Sequence, residues 1–371
     1  MEVPYNYLPY EFADTDNIFV DWKELINSTD FTLGKYVKNF ENKFAKFLGV
    51  KHCISTNNGT DAIILALKAL GIKKGDEVIT VANTFYATVG AIVAVGATPV
   101  LVDCDSQFQI CVDKIQKAIG PKTKAILPVH WAGSSPNMNL ILDICKKNKL
   151  FLVEDACMGI GASINKKNAG TFGNVNAFSM HPLKSLNVMG DGGMVVTNNS
   201  SLASWMEKYR NHGMIDRDHI EFWGVNMRLQ PLQAIVASHR LDALTNTLSR
   251  RRHNAKILDE GLKPLVDKGI VALPKRLDGY LETFALYMGL FRKRDKLVQY
   301  LENNKIEVKI HYPVPLHLQK AAEKNCVFDK TDLKNVEYQS KHLITIPVHQ
   351  YLTETQLSYT IDCIIKFYSD D

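Results

Sequence analysis

The sequence predicts an α/β protein: a large domain with a mainly parallel, mixed sheet flanked by helices, then a smaller α+β domain at the C-terminus. Two observations carry this reading. From about residue 50 to 200, short apolar runs alternate with amphipathic helical stretches. After them, a long helical stretch over 231–257 reads as a connector into a remainder of different pattern. The boundary is expected near residue 240, with 1–240 as the large domain, N-terminal segment included, and 241–371 as the small one. At 371 residues and 46% apolar content, the chain can bury a core in each.

The strands are expected at 77–82, 98–102, 125–129, 150–153, 176–180 and 193–197, each a strand-length apolar run. Helical patterns such as 61–70 and 138–147 lie between them. Strands separated by helices imply parallel neighbours covered on both faces. The remainder holds 282–291, 305–310 and a last helical pattern over 354–367. Asn83, Asp103, His130, Asp155 and Ser179 stand at or just past predicted strand ends. Open α/β sheets bind ligands outside those ends. Polar residues also simply end strands, and both readings stay open for each of the five.

Composition excludes several classes. The net charge of +5 is modest, and no basic run interleaved with aromatics suggests a nucleic-acid face. The seven cysteines are scattered and lack zinc-finger or redox spacing, which points to reduced thiols in the cytoplasm. Residues 1–10 lack the pattern of a signal peptide. No window reaches the ~18 consecutive apolar residues of a membrane span. No metal-protease or phosphate-loop signature is present, and Gly159-Ile160-Gly161 lacks the third glycine and the context of a dinucleotide fingerprint.

Three motifs carry chemistry. Asn57-Asn58-Gly59-Thr60-Asp61-Ala62 follows a short β-like segment and leads into an apolar helix. Gly59 permits close approach of a ligand and Thr60 reads as the cap, so the helix start is either an ordinary cap or an anion site. Glu154-Asp155-Ala156 ends a buried strand; a carboxylate there can meet a backbone amide or hold a proton on a pyridine nitrogen. The third motif runs from Phe178 through Ser179, His181 and Lys184 to Leu186, with the glycine turn Gly190-Asp191-Gly192-Gly193 after it. Asp155 lies 29 residues before Lys184. An amine, a ring-nitrogen partner and a phosphate cradle are the inventory of pyridoxal phosphate (PLP) chemistry.

These motifs together resemble the DegT/DnrJ/EryC1/StrS family of sugar aminotransferases, PLP enzymes of fold type I. Further pieces occur in the family's order. They are Phe31-Thr32-Leu33-Gly34, Asn83 to Thr88, Val129-His130, Arg210-Asn211-His212-Gly213, Gly224 to Leu229, and His311 to His317. The resemblance spans roughly residues 25 to 370.

The resemblance implies roles position by position. Lys184 matches the Schiff-base lysine and proton shuttle, and Asp155 the carboxylate on the pyridine nitrogen. Phe85 matches the aromatic stacked on the cofactor ring. Gly59, Thr60 and Ser179 match phosphate contacts. Asn226 matches an asparagine that reaches the neighbouring subunit's cofactor, which implies a homodimer with shared sites. His181, Arg228 and His317 fall in motifs near the substrate. Met158 stands where the family usually has a glutamine contacting the ring hydroxyl, and Met cannot donate that bond. The implied reaction is ping-pong through pyridoxamine phosphate. L-glutamate is the amino donor and a nucleotide-linked keto-sugar the acceptor, in amino-deoxysugar biosynthesis. Family dehydratases carry His in place of the lysine, which Lys184 disfavours. A non-catalytic PLP sensor would lack the lysine or add a DNA-binding segment, and neither is visible.

Overall fold

A computed structural model describes residues 1–369. Seven strands form the large sheet. They are β1 (His52–Thr56), β2 (Glu77–Val81), β3 (Thr98–Val102), β4 (Thr123–Leu127) and β5 (Phe151–Asp155) and, after a short hairpin of β6 (Ser163–Ile164) and β7 (Lys167–Asn168), β8 (Val175–Ser179) and β9 (Gly193–Thr197). Their order is β1-β9-β8-β5-β4-β2-β3. β9 runs antiparallel to both its neighbours, and the other pairs are parallel. The mixed, mostly parallel α/β sheet is the one the sequence predicts. Its strands are buried along nearly their whole length, as a sheet covered on both faces must be.

The parallel strands all end on one edge, so Thr56, Val81, Leu127, Asp155 and Ser179 come out together there. β4 stops before Pro128, two residues earlier than expected, because proline has no N–H for the ladder. β5 continues through Asp155, so that carboxylate is fixed by strand pairing with Ala177 rather than by a loop.

The long helix Pro231–Asp267 passes through residue 240 and ends ten residues beyond the expected 257. It serves two cores. Leu241, Leu244 and Leu248 pack with Phe40, Phe44 and Phe178, whereas Ala255, Leu258, Leu262 and Leu265 pack with a second sheet. That sheet is β10 (Val271–Ala272), β12 (Tyr287–Phe291) and β13 (Leu343–Ile346); β11 (Tyr280–Leu281) pairs with β6 instead. Residues 305–310 form no strand. They make single bridges, Val3 with Ile306 and Lys309 with Thr345. The N-terminal segment is thereby tied to the C-terminal part, with Val3 inside its core. The helical pattern expected over 354–367 is the helix Glu354–Ser369. Among the described residues no helix is long and apolar enough to cross a membrane.

Candidate active site

A cavity of about 410 Å³ opens at the strand-end edge of the large sheet. Gly59, Thr60, Phe85, Asp155, Met158, Ser179, His181 and Lys184 all line it. These residues come from four separate stretches of sequence, and the sheet is what brings them to one place.

Glu154 and Asp155 are neighbours with opposite surroundings, because successive strand residues face opposite sides. Glu154 is fully buried and accepts N–H groups from Phe172 (2.6 Å), Gly173 (2.7 Å) and Gly170 (2.8 Å). His130 Nε2 stands 2.7 Å from the same carboxylate and His130 Nδ1 2.8 Å from Ser135 Oγ. Glu154 therefore organises the 170–173 turn. Asp155 takes the Thr88 hydroxyl on Oδ2 at 2.7 Å and the Cys157 N–H on Oδ1 at 3.2 Å. Thr88 Oγ1 is 2.9 Å from Thr84 Oγ1, so two threonines set the carboxylate from behind.

The helix Gly59–Ala69 starts at the cavity. Its cap is Asn58, not Thr60: Asn58 is in extended backbone and its side-chain oxygen accepts the Asp61 N–H at 2.8 Å. Thr60 sits two residues past the cap position and lies within the first turn instead. A Cβ placed on Gly59 would stand 2.7 Å from Ser179 Cβ and 3.1 Å from Ser179 Oγ. Glycine is required there for the helix start and the end of β8 to meet. Ser179 Oγ accepts the His181 N–H at 3.2 Å, so its own O–H remains available to donate.

Lys184 lies in the loop between β8 and β9, half-buried, with its N–H donated to His181 O at 2.8 Å. His181 Nδ1 accepts the Leu183 N–H at 3.3 Å, which closes this turn. Partial burial, and next the charge of Lys184, lowers the His181 pKa from its ordinary value, so its ring stays neutral at pH 7. The glycine turn after it has a packing duty. A Cβ on Gly193 would meet Asn58 O at 2.2 Å, so the turn lets β9 pass against the helix-start loop, and Asp191 is its member at the cavity.

The remaining sequence-derived candidates sit elsewhere. Of the five strand-end residues, Asp155 and Ser179 line the cavity. Asp103 accepts the Asn335 and Val336 N–H groups at the start of Lys334–His342, His130 is held by Glu154, and Asn83 lines a smaller neighbouring cavity. Those three end strands for structural reasons. Asn226 is exposed on the 211–228 loop and accepts from Arg228 Nε at 3.0 Å; Arg228 also donates to Asn211 at 3.1 Å. Neither lines this chain's cavity. His317 is buried away from it, 3.1 Å from Glu337.

The wall opposite the strand ends holds Tyr5, Tyr7, Arg251 and His349, which no local motif singles out, with His311 and Tyr312 from the motif His311 to His317. Tyr7 donates to the Lys184 carbonyl at 3.3 Å, so the N-terminal segment reaches the lysine's own backbone. Burial, assisted by the charges of Lys184 and Lys309, lowers the His311 pKa to about 4. Burial also lowers that of His349 to about 4. A signal for Arg251 was present. It falls in the spacing Leu244, Leu248, Arg251, Ala255, Leu258, the buried stripe of its helix.

Comparison with known proteins agrees with this geometry. The family model of the DegT/DnrJ/EryC1/StrS aminotransferase family matches residues 13–365. A pleiotropic regulatory protein of Geobacillus stearothermophilus is 38% identical over 350 residues, covering 93% of this chain and 92% of that protein. The UDP-N-acetyl-3-dehydro-alpha-D-glucosamine 3-aminotransferase of Acidithiobacillus ferrooxidans is 35% identical over 344 residues, covering 92% and 91%. Among solved structures, NtdA from Bacillus subtilis with the cofactor PMP bound superposes with a TM-score of 0.91 at 29% identity, covering 98% of this chain and 85% of that one. The chain belongs to the DegT/DnrJ/EryC1/StrS aminotransferase family.

Proposed function

We propose that this protein is a PLP-dependent homodimeric aminotransferase that moves an amino group from L-glutamate to a nucleotide-linked keto-sugar, for amino-deoxysugar biosynthesis. One observation carries the reading: an amine, a buried carboxylate and a glycine-opened helix start line the same cavity.

The residues fit the cofactor. Gly59 leaves the gap beside Ser179 that a Cβ would fill. Asp155 has accepting capacity beyond its bonds to Thr88 and Cys157. Phe85, 37% exposed at the cavity, has a ring face to offer. PLP, when bound, supplies an electron sink for the substrate carbon that loses its proton. Asp155, held by Thr88, would keep the ring nitrogen protonated. Thr60, Ser179 and the first helix turn would take the phosphate, with the positive end of the helix behind them. Lys184 would hold the cofactor and, once freed, carry the proton off and back as base and acid. His181, on the cavity side of the same turn, would face the acceptor sugar. Met158 lines the cavity with a thioether, so the ring-hydroxyl contact usual in the family has no donor at this position.

The homodimer has support in the 211–228 loop. It exposes Trp223 (86%), Ile215, Ile220 and Val225 around Asn226, an apolar surface a second copy would cover while delivering Asn226 to its site. His317 is given no role in this scheme.

A regulatory role has the name of the Geobacillus relative in its favour. One experiment separates the two. The protein is loaded with PLP, glutamate is added, and the visible band of the lysine-linked cofactor is followed. Transamination predicts its conversion to the amine form, then its return with one member of a panel of nucleotide-linked keto-sugars. A loaded protein whose band ignores glutamate would leave the regulatory reading standing. Lys184→Ala is expected to lose the band and about a thousandfold or more in turnover; retention of both would sink the assignment.

A further inference from the structure

The far wall carries a buried cation that no anion pairs with among the described residues. Arg251 is 2% exposed and lines the cavity. Its Nε donates to Gln350 Oε1 at 2.9 Å, and its Nη1 reaches Phe284 O at 3.4 Å. Its Nη2 is buried, and among the described residues no group accepts from it. The nearest acid in this network is Glu11, which meets Arg251 only through Gln350 and is itself paired with Arg240. Tyr7 stacks a ring 5.1 Å from the guanidinium carbon. A ring face offsets only part of the cost of burying a charge, and buried guanidinium groups are normally matched by a carboxylate or phosphate.

We propose that Arg251 is the anchor for a carboxylate of the amino donor. This rests on the transaminase reading above. Placement supports a carboxylate of a small amino acid over a nucleotide phosphate. Tyr7 meets the Lys184 backbone with its hydroxyl and Arg251 with its ring, so a single side chain joins the guanidinium to the lysine's loop. An amino acid carries its carboxylate within a few bonds of the reacting nitrogen. In a sugar nucleotide the whole sugar ring separates the reacting carbon from the diphosphate. His349 stands in the same wall, kept neutral by burial with Nε2 3.0 Å from the Pro4 carbonyl, and so adds no competing anion.

The test measures the two half-reactions separately on holoenzyme, with wild type, Arg251→Gln and Arg251→Lys. For Arg251→Gln the expected result is a loss of about 10- to 100-fold in kcat/KM for glutamate, mainly in KM. The keto-sugar half-reaction, started from the amine form, should stay unchanged. Arg251→Lys should recover part of the loss, because it keeps the charge but not the fork. Glutarate, a dicarboxylate without an amine, should raise the Tm of wild type and not of Arg251→Gln, while inorganic phosphate should act equally on both. An unchanged glutamate half-reaction in a folded Arg251→Gln overturns the proposal, as does a defect confined to the keto-sugar half, which would make Arg251 a phosphate contact. If Arg251→Gln does not fold, glutarate stabilising Arg251→Lys as strongly as wild type at equal concentration would also overturn it. Wild type that ignores glutamate refutes the transaminase reading instead, so the two failures are distinct.

Discussion

The cavity has two unlike walls. The near wall is made of strand ends and the turns that follow them: Asp155, Ser179, Gly59 and the Lys184 loop, each set by backbone pairing or a tight turn. The far wall is made of side chains from residues 5–7, 251, 311–312 and 349, joined by contacts across most of the chain length. In the near wall, Asp155 and Ser179 are held by the hydrogen-bond ladder of the large sheet. The far wall exists only after the N-terminal segment, the long helix and the second sheet have docked. In the proposed function, chemistry on the cofactor would belong to the first and selection of what reaches it to the second.

The sharpest way to break this division is Asp155→Asn. The amide keeps the size and the Thr88 partner but not the charge. Turnover is expected to fall about 100-fold with Tm nearly unchanged; equal loss of Tm and activity would make Asp155 structural. Its neighbour supplies the converse. Glu154→Gln turns one accepting oxygen into a donor, which then faces either the Phe172 and Gly173 N–H groups or the Gly170 N–H and His130. A stability loss of about 3 kcal/mol is expected by denaturant titration, with activity per folded molecule retained. Should activity fall while stability holds, the two carboxylates would have exchanged duties.

Gly59→Ala tests the cradle. The new Cβ meets the Ser179 side chain at 2.7 Å, so cofactor affinity should weaken about tenfold, read as cofactor loss on dilution, with a small change in Tm. Tight cofactor retention in this variant would remove the helix start from the phosphate site.

The smallest expected effect lies in the far wall and depends on pH. His311 and His349 titrate at about 4 in the folded protein, against 6.5 ordinarily, because burial disfavours their charged forms. The unfolded chain then binds more protons than the native one between those values. Their stabilisation is complete above pH 6.5 and is lost as pH falls toward about 4, by about 1–3 kcal/mol per histidine. A Tm–pH profile should decline across that window, and less steeply for His349→Asn. A flat profile would mean that this wall is wetter than its geometry implies.

The walls also differ in how legible they were. Asp155, Ser179, Gly59 and Lys184 sit in short motifs at predicted strand ends, where periodicity and chain polarity already say which side they reach. The same logic over-reached for Asn83, Asp103 and His130, since a strand end is polar whether it faces a ligand or caps a helix. Thr60 read as a cap because it is the usual residue type, and Asn58 took the position through its extended backbone. Arg251 left a trace, a charge on an apolar stripe, that its place among Arg250 and Arg252 concealed.

By itself the sequence determined the alternation of strands and helices, the family and the residues that make the near wall, because period, turn residues and motif spacing act over a few residues. The tertiary structure alone decided that Tyr7, Arg251 and His349 share a wall with Lys184. Those residues are brought together by burial of Val3, Ala255, Leu258 and Ile346 in one core. Packing of that kind depends on the whole surface removed from water and leaves no local mark on the residues it gathers.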